Sequence, residues 1–200
     1  MLSFTQMLNE SIVDDVSDFV PAVIAPGRFN PPHRGHKFMI DELVKLGRKL
    51  NAVPFVLIID SGKYGEKNPL TGEVREEFLK KKYPTVQFIV AKNPYDAVEY
   101  LAVHGDTKYV PVGGVTGSDR AQSYKMMVTR MFGQEVGDKY EAVILARDPD
   151  AEGDVSGISA TKVRQAAAEG NIERLRAMTG FEGDDADRLM KLVRSGMGVA

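Results

Sequence analysis

Short apolar runs, separated by segments with helical periodicity, constrain this chain more than any other feature. Ala22-Val23-Ile24-Ala25, Val53–Ile59, Val86–Val90, Lys108–Val112 and Ala142–Ala146 show no regular alternation of apolar and polar residues. A strand on a half-solvated sheet alternates, whereas a strand covered on both faces does not. Between the runs, apolar residues recur every three or four positions. A helix is expected from about Gly35 to Leu50, with Met39, Leu43, Leu46 and Leu50 on one stripe. Thr71 caps a second helix reaching about Lys82, and Pro94–Val103 and Ala121–Phe132 make two more. Strand four is expected to end in Gly113-Gly114. The tail is helical at about 160–169, 171–178 and 185–195, broken at Gly170 and Gly180.

Strands that alternate with helices make a parallel sheet with helices on both faces. The expectation is an α/β, Rossmann-like doubly wound parallel sheet of about five strands with a helical C-terminal tail. Right-handed crossovers put every strand C-terminus on one edge, so loops 26–36, 60–70, 113–120 and 147–161 should converge there.

A chain of 200 residues suits one such domain. Residues 1–19 read as an N-terminal leader, and 20–200 as the domain, with its C-terminal helices from about 160. Lys and Arg number 26 against 28 Asp and Glu, a near balance that argues against nucleic acid as a partner. With no Cys, disulfides and thiolate metal sites are excluded. No run approaches the roughly 18 apolar residues of a membrane helix. The start carries Glu10, Asp14, Asp15 and Asp18 and no basic segment, unlike a secretory signal. A cytoplasmic protein with no membrane partner is expected.

Chemistry concentrates in Gly27-Arg28-Phe29-Asn30-Pro31-Pro32-His33-Arg34-Gly35-His36, which leaves a strand and enters a helix. Gly27 permits a tight exit, the prolines stiffen the loop, and Gly35 lets a ligand approach the helix start. His33 and His36 stand one turn apart and face the same way. Arg28, Arg34 and Lys37 crowd the same end. Cations there oppose the helix dipole by about 0.3–1 kcal/mol each unless an anion shares the site. The plainer reading, surface residues at an ordinary helix start, suits one histidine better than the assembled pattern.

A second helix opens in the same way. Ser159 is an N-cap, and Thr161, Lys162 and Arg164 follow within its first turn and a half, with no acid among them. An anion is expected between the two helix starts.

The first segment resembles the Gly-Arg-Phe-x-Pro-x-His-x-Gly-His signature of the nucleotidyltransferase superfamily with the "HIGH" motif, the cytidylyltransferase-like proteins. Ile158-Ser159-Ala160-Thr161-Lys162-Val163-Arg164 resembles that superfamily's second signature, with Ala160 in place of a Ser. The resemblance implies a nucleotidyltransferase that moves a nucleotidyl group from ATP or CTP to a small phosphorylated acceptor and releases pyrophosphate. His33, His36 and Arg164 would be catalytic, while Gly27, Arg28, Phe29, Asn30, Gly35, Asp119, Ile158, Ser159 and Thr161 would bind nucleotide. Mg²⁺ would arrive with the triphosphate. Gly-Arg-Phe and Asn68-Pro69-Leu70-Thr71 are most similar to archaeal-type nicotinamide-nucleotide adenylyltransferases. A cytidylyltransferase acting on a sugar or polyol phosphate is the runner-up.

Further signals are individually weaker. Asp119 and Arg120 follow strand four and either cap a helix or meet the nucleotide. Lys63 and Lys67 lie in an exposed loop, as phosphate contacts or solvated side chains. Arg75 either contacts the acceptor or pairs on its helix surface with Glu76 or Glu77. Arg147, in a segment that resembles phage-encoded members, is a candidate phosphate contact, and the isolated His104 is read as a surface or capping residue. Residues 1–10 resemble phage head-associated leaders that end in Leu-x-Glu. That likeness implies cleavage after Glu10, association with a phage head, and host cytoplasm or virion as the location; a frayed terminal helix is the alternative. A virion-packaged binding module without catalysis is the rival to the enzyme, and a homo-oligomer is compatible with either. A P-loop, a dinucleotide fingerprint, a Nudix box and a zinc site all fail on spacing.

Overall fold

The computed structural model describes residues 18–103, 106–145 and 157–199. Most of the leader, with Glu10, therefore lies outside the described residues, as do His104, Ala146 and Arg147.

The apolar runs become β1 (Val20–Gly27), β2 (Val53–Ile59), β3 (Gln87–Ala91), β4 (Tyr109–Gly117) and β5 (Glu141–Leu145). They form one sheet in the order β3-β2-β1-β4-β5, every neighbouring pair parallel. Around it, among the described residues, lie α1 (Arg34–Leu50), α2 (Gly72–Lys82), α3 (Pro94–Val103), α4 (Ala121–Phe132) and α5 (Gln134–Lys139). The chain then runs through α6 (Ala160–Ala168), α7 (Ile172–Thr179) and α8 (Gly183–Met197). None of these helices is long and apolar enough to cross a membrane.

β1 shows why alternation is missing from the sequence. Ala22 and Ile24 pack with Phe55, Leu57, Val98, Leu101 and Met127 on one face. Val23 and Ala25 pack with Ile40, Leu43, Val56 and Ile58 on the other. All four β1 residues are fully buried, so each successive side chain meets helix rather than water. A third core joins α6, α7 and α8 to Leu70 and to Phe78 of α2.

Two expectations need correction. β4 does not end at the glycine pair but runs through it to Gly117. A Cβ on Gly113 would stand 2.8 Å from the Glu141 carbonyl oxygen. One on Gly114 would stand 2.3 Å from the Tyr140 hydroxyl and 2.7 Å from the Ile24 carbonyl oxygen. The glycines admit close neighbours inside a strand; they do not make a turn. The loop on the functional edge is thereby shortened to Ser118-Asp119-Arg120. α5 was also unanticipated: it is only six residues long and follows Gly133, whose φ is 89°.

The strand order reverses between β1 and β4. In open α/β sheets the crevice for ligands lies beyond the strand C-termini at this switch. Gly27 ends β1 and Gly117 ends β4, so the histidine loop and Asp119 share that edge.

Candidate functional site

The exit from β1 is built around Phe29. Its φ of 50° is left-handed, a conformation that costs a bulky residue about 1–3 kcal/mol unless its surroundings hold it. Complete burial of the ring among the residues of α1 and the sheet supplies that hold. A Cβ on Gly27 would stand 2.8 Å from the Phe29 ring, so this glycine makes room for an aromatic side chain rather than for a tight turn. Asn30 is also buried. Its Nδ2 donates to the Leu70 carbonyl at 2.8 Å and its Oδ1 accepts from the Leu70 N–H at 3.1 Å. The side chains of Phe29 and Asn30 therefore build the loop from inside.

On this base α1 begins with imidazoles in place of the usual hydroxyl and carboxylate caps. His33 is the N-cap, and its Nδ1 accepts from the Gly35 N–H at 3.1 Å. The His33 N–H in turn donates to His36 Nδ1 at 3.2 Å. The two ring centroids are 3.7 Å apart, and the His36 centroid is 4.6 Å from that of Phe29. A ring nitrogen that accepts carries no proton, so each neutral imidazole holds its proton on Nε2. The caps thus settle the tautomer and turn both rings into Nε2–H donors.

The second helix start reaches the first. Ser159 caps α6 by accepting from the Lys162 N–H at 3.3 Å, and Lys162 Nζ donates to the Gly157 carbonyl at 2.9 Å. Arg164 donates through Nη2 to Thr161 Oγ1 at 3.0 Å and through Nη1 to the Asn30 carbonyl oxygen at 2.9 Å, across 134 residues of chain. Burial lowers the pKa of Arg164, the charge of Arg28 lowers it further, and Glu66 opposes both. Two guanidiniums in repulsive reach of each other make this edge locally positive on a chain of net charge −2. Ile158 packs against the third core behind this helix start.

Arg75 departs from both readings given to it. It is 1% exposed, faces neither Glu76 nor Glu77, and pairs with Asp60 at 2.8 Å. It also donates to the carbonyls of Arg28, Ile59 and Thr71. One guanidinium thereby ties the loop after β1, the end of β2 and the start of α2 together. Asp60 is the partner that sequence reasoning missed. It accepts from the Gly62 N–H and the Tyr64 hydroxyl at 3.0 Å each and from the Gly72 N–H at 2.6 Å. Burial acts to raise its pKa, but the bonds from Gly62 and Tyr64, the Arg75 charge and the Gly72 bond outweigh it and hold the carboxyl low. A signal was present: Arg75 shares the apolar face of α2 with Phe78 and Leu79, three and four residues on.

Other residues lie further out. Lys63 and Lys67 are exposed on the loop between β2 and α2. Asp119 and Arg120 pair loosely at 3.5 Å at the end of β4, both well exposed. Gly35 is half-buried in the first turn of α1. Arg34 and Lys37 leave the imidazole face and line a depression beside α1 that does not include His33 or His36. Among the described residues no group of three His, Asp or Glu could hold a metal ion.

The cytidylyltransferase-like family model matches residues 24–166, which span both helix starts. No curated protein matches the chain by sequence. Among solved structures, nicotinic acid mononucleotide adenylyltransferase from Plasmodium falciparum, complexed with NaAD, superposes with a TM-score of 0.53 at 13% identity. That match covers 88% of this chain and 96% of the other. A macrolide-efflux protein from Streptococcus pneumoniae superposes with a TM-score of 0.52 at 20% identity over 80% of this chain, which spans only 55% of that protein's length. At such identities both likenesses speak to the fold alone.

Proposed function

The chain belongs to the cytidylyltransferase-like family of nucleotidyltransferases, and from that premise we propose that it adenylylates a small phosphorylated acceptor, with nicotinamide mononucleotide as the first choice. The observation that carries the reading is the Arg164 bond to the Asn30 carbonyl, which draws the two acid-free helix starts into one edge. Such an edge suits a triphosphate, because Nε2–H donors, guanidiniums and helix N–H groups all act on phosphate oxygens.

In the reaction, an acceptor phosphate oxygen attacks the α-phosphorus in line as the bond to the bridging oxygen breaks, and that oxygen leaves on pyrophosphate with the negative charge. No covalent nucleophile is needed from the protein; positioning and charge stabilisation do the work. His33 and His36 donate from Nε2 to the triphosphate, while Arg28 and Arg164 hold its outer phosphates. Mg²⁺ would come with the nucleotide, held chiefly by its oxygens and water, and would offset charge on the phosphates. Arg75 acts indirectly by fixing the Arg28 backbone.

The likeness of Asn68–Thr71 to the adenylyltransferase segment supports the acceptor, and Leu70 within it is bound to Asn30 of the first loop. The family description names cytidylyl transfer, which favours a second reading, a cytidylyltransferase acting on a sugar or polyol phosphate. A pyrophosphate-release screen that crosses ATP and CTP with nicotinamide mononucleotide, pantetheine phosphate and polyol phosphates separates the two. ATP with nicotinamide mononucleotide should turn over fastest; fastest release with CTP and a polyol phosphate would install the second reading, and silence in every pairing would overturn both.

A further inference from the structure

Arg34 and Lys37 belong to the first turn of α1 but lie off the imidazole face. With Phe38, Lys82 and Gly180 they line a depression of about 360 Å³ between α1 and the turn joining α7 to α8, a size within the usual range for small ligands. Lys82 is fixed there. Its ammonium donates to the carbonyls of Gly180 at 2.5 Å and Thr179 at 3.4 Å and sits 3.9 Å from the Phe181 ring centroid. A Cβ on Gly180 would stand 3.4 Å from Lys82 Nζ and 3.5 Å from Arg34 Nε, so the two cationic heads flank one point at the mouth.

Burial lowers the pKa of Lys82, the charges of Arg34 and Lys37 lower it further, and Glu182 and Asp185 oppose them. Of the nearby acids, Asp41, which also lines the depression, pairs with Lys37 at 2.6 Å, and Asp185 pairs with Lys81 at 2.5 Å. Like charges gathered around a concave surface favour an anion that all of them can share. Phe38, 49% exposed, adds an aromatic ring to the lining.

We propose that this depression is a second anion site, separate from the histidine edge, for a small phosphorylated molecule with a planar ring, of the mononucleotide class. Its phosphate lies between Arg34 and Lys82, and its ring stacks on Phe38.

The test is amide-resolved NMR titration of the full chain with AMP and, separately, with inorganic phosphate. Saturable shifts are expected at Arg34, Phe38, Lys82 and Gly180, and they should persist in Arg164→Ala. Arg34→Gln, at an exposed position, should weaken AMP binding there about tenfold. Phe38→Ser should weaken AMP while leaving phosphate unchanged, and thermal melts confirm that both variants fold. The proposal is overturned if AMP moves only Asn30, His36 and Ser159–Arg164, if Arg164→Ala abolishes the shifts, or if phosphate binds as tightly as AMP and Phe38→Ser changes nothing. Because the readout is local binding, it stands or falls separately from pyrophosphate release.

Discussion

At the scale of single residues, His33 does two jobs that can be separated. Its Nδ1 caps α1, and in the proposed reaction its Nε2–H serves the triphosphate. Asn is a strong N-cap but offers no donor at the Nε2 position. His33→Asn should therefore melt close to the parent while its barrier to transfer rises by about 2.7–4 kcal/mol. His33→Ala should lose the same activity and about 1 kcal/mol of stability as well. Thermal melts beside pyrophosphate release check both, and full activity in His33→Asn would remove the imidazole from the mechanism. Arg75→Met leaves Asp60 without its buried partner and should cost about 3–5 kcal/mol in a urea melt. The Asp60 carboxyl is held below its unfolded value of about 3.9. Its contribution is thus complete above that pH and disappears as pH falls through the lowered folded value. Without Arg75 the folded value moves up toward the unfolded one, so the stability that Asp60 loses on acidification should shrink; an acid limb as deep as the parent's would contradict this account of Asp60. The caps at Thr71 and Ser159 were legible in the sequence because capping by a hydroxyl is local, whereas an imidazole cap such as His33 is not among the usual signals. The Asp60–Arg75 pair was not legible either, since charge is ordinarily assigned to solvent and the pair joins separate elements.

At the scale of elements, strands buried on both faces declared themselves through their lack of alternation. β4 was cut short because a glycine pair usually punctuates, whereas here it admits Tyr140 and the Ile24 carbonyl. The C-terminal helices reach the candidate site through another glycine. A Cβ on Gly196 of α8 would stand 1.9 Å from the Pro69 carbonyl oxygen, and the next residue, Leu70, is held by Asn30. Gly196→Val should cost about 1–3 kcal/mol by overpacking and speed amide exchange at Leu70. A parent-like melt with unchanged exchange would show that α8 does not brace the loop.

The whole molecule turns one sheet reversal into a site. The order β3-β2-β1-β4-β5 lays the β1 exit beside the end of β4, and the tail helices fold back so that Arg164 meets Asn30. Both halves of this edge could be read from the sequence, since each is a helix start with cations and no acid. Their meeting was expected from the anion they would share; what could not be read is the third core that brings it about by joining α6–α8 to Leu70 and Phe78.

Calorimetric titration with Mg-ATP of the parent, Arg164→Ala and His33→Asn tests that joining most directly. Saturable binding by the parent, weakened at least about tenfold in each variant, is the predicted result. ATP affinity equal to the parent's in both variants would contradict a polyphosphate held jointly by the two helix starts.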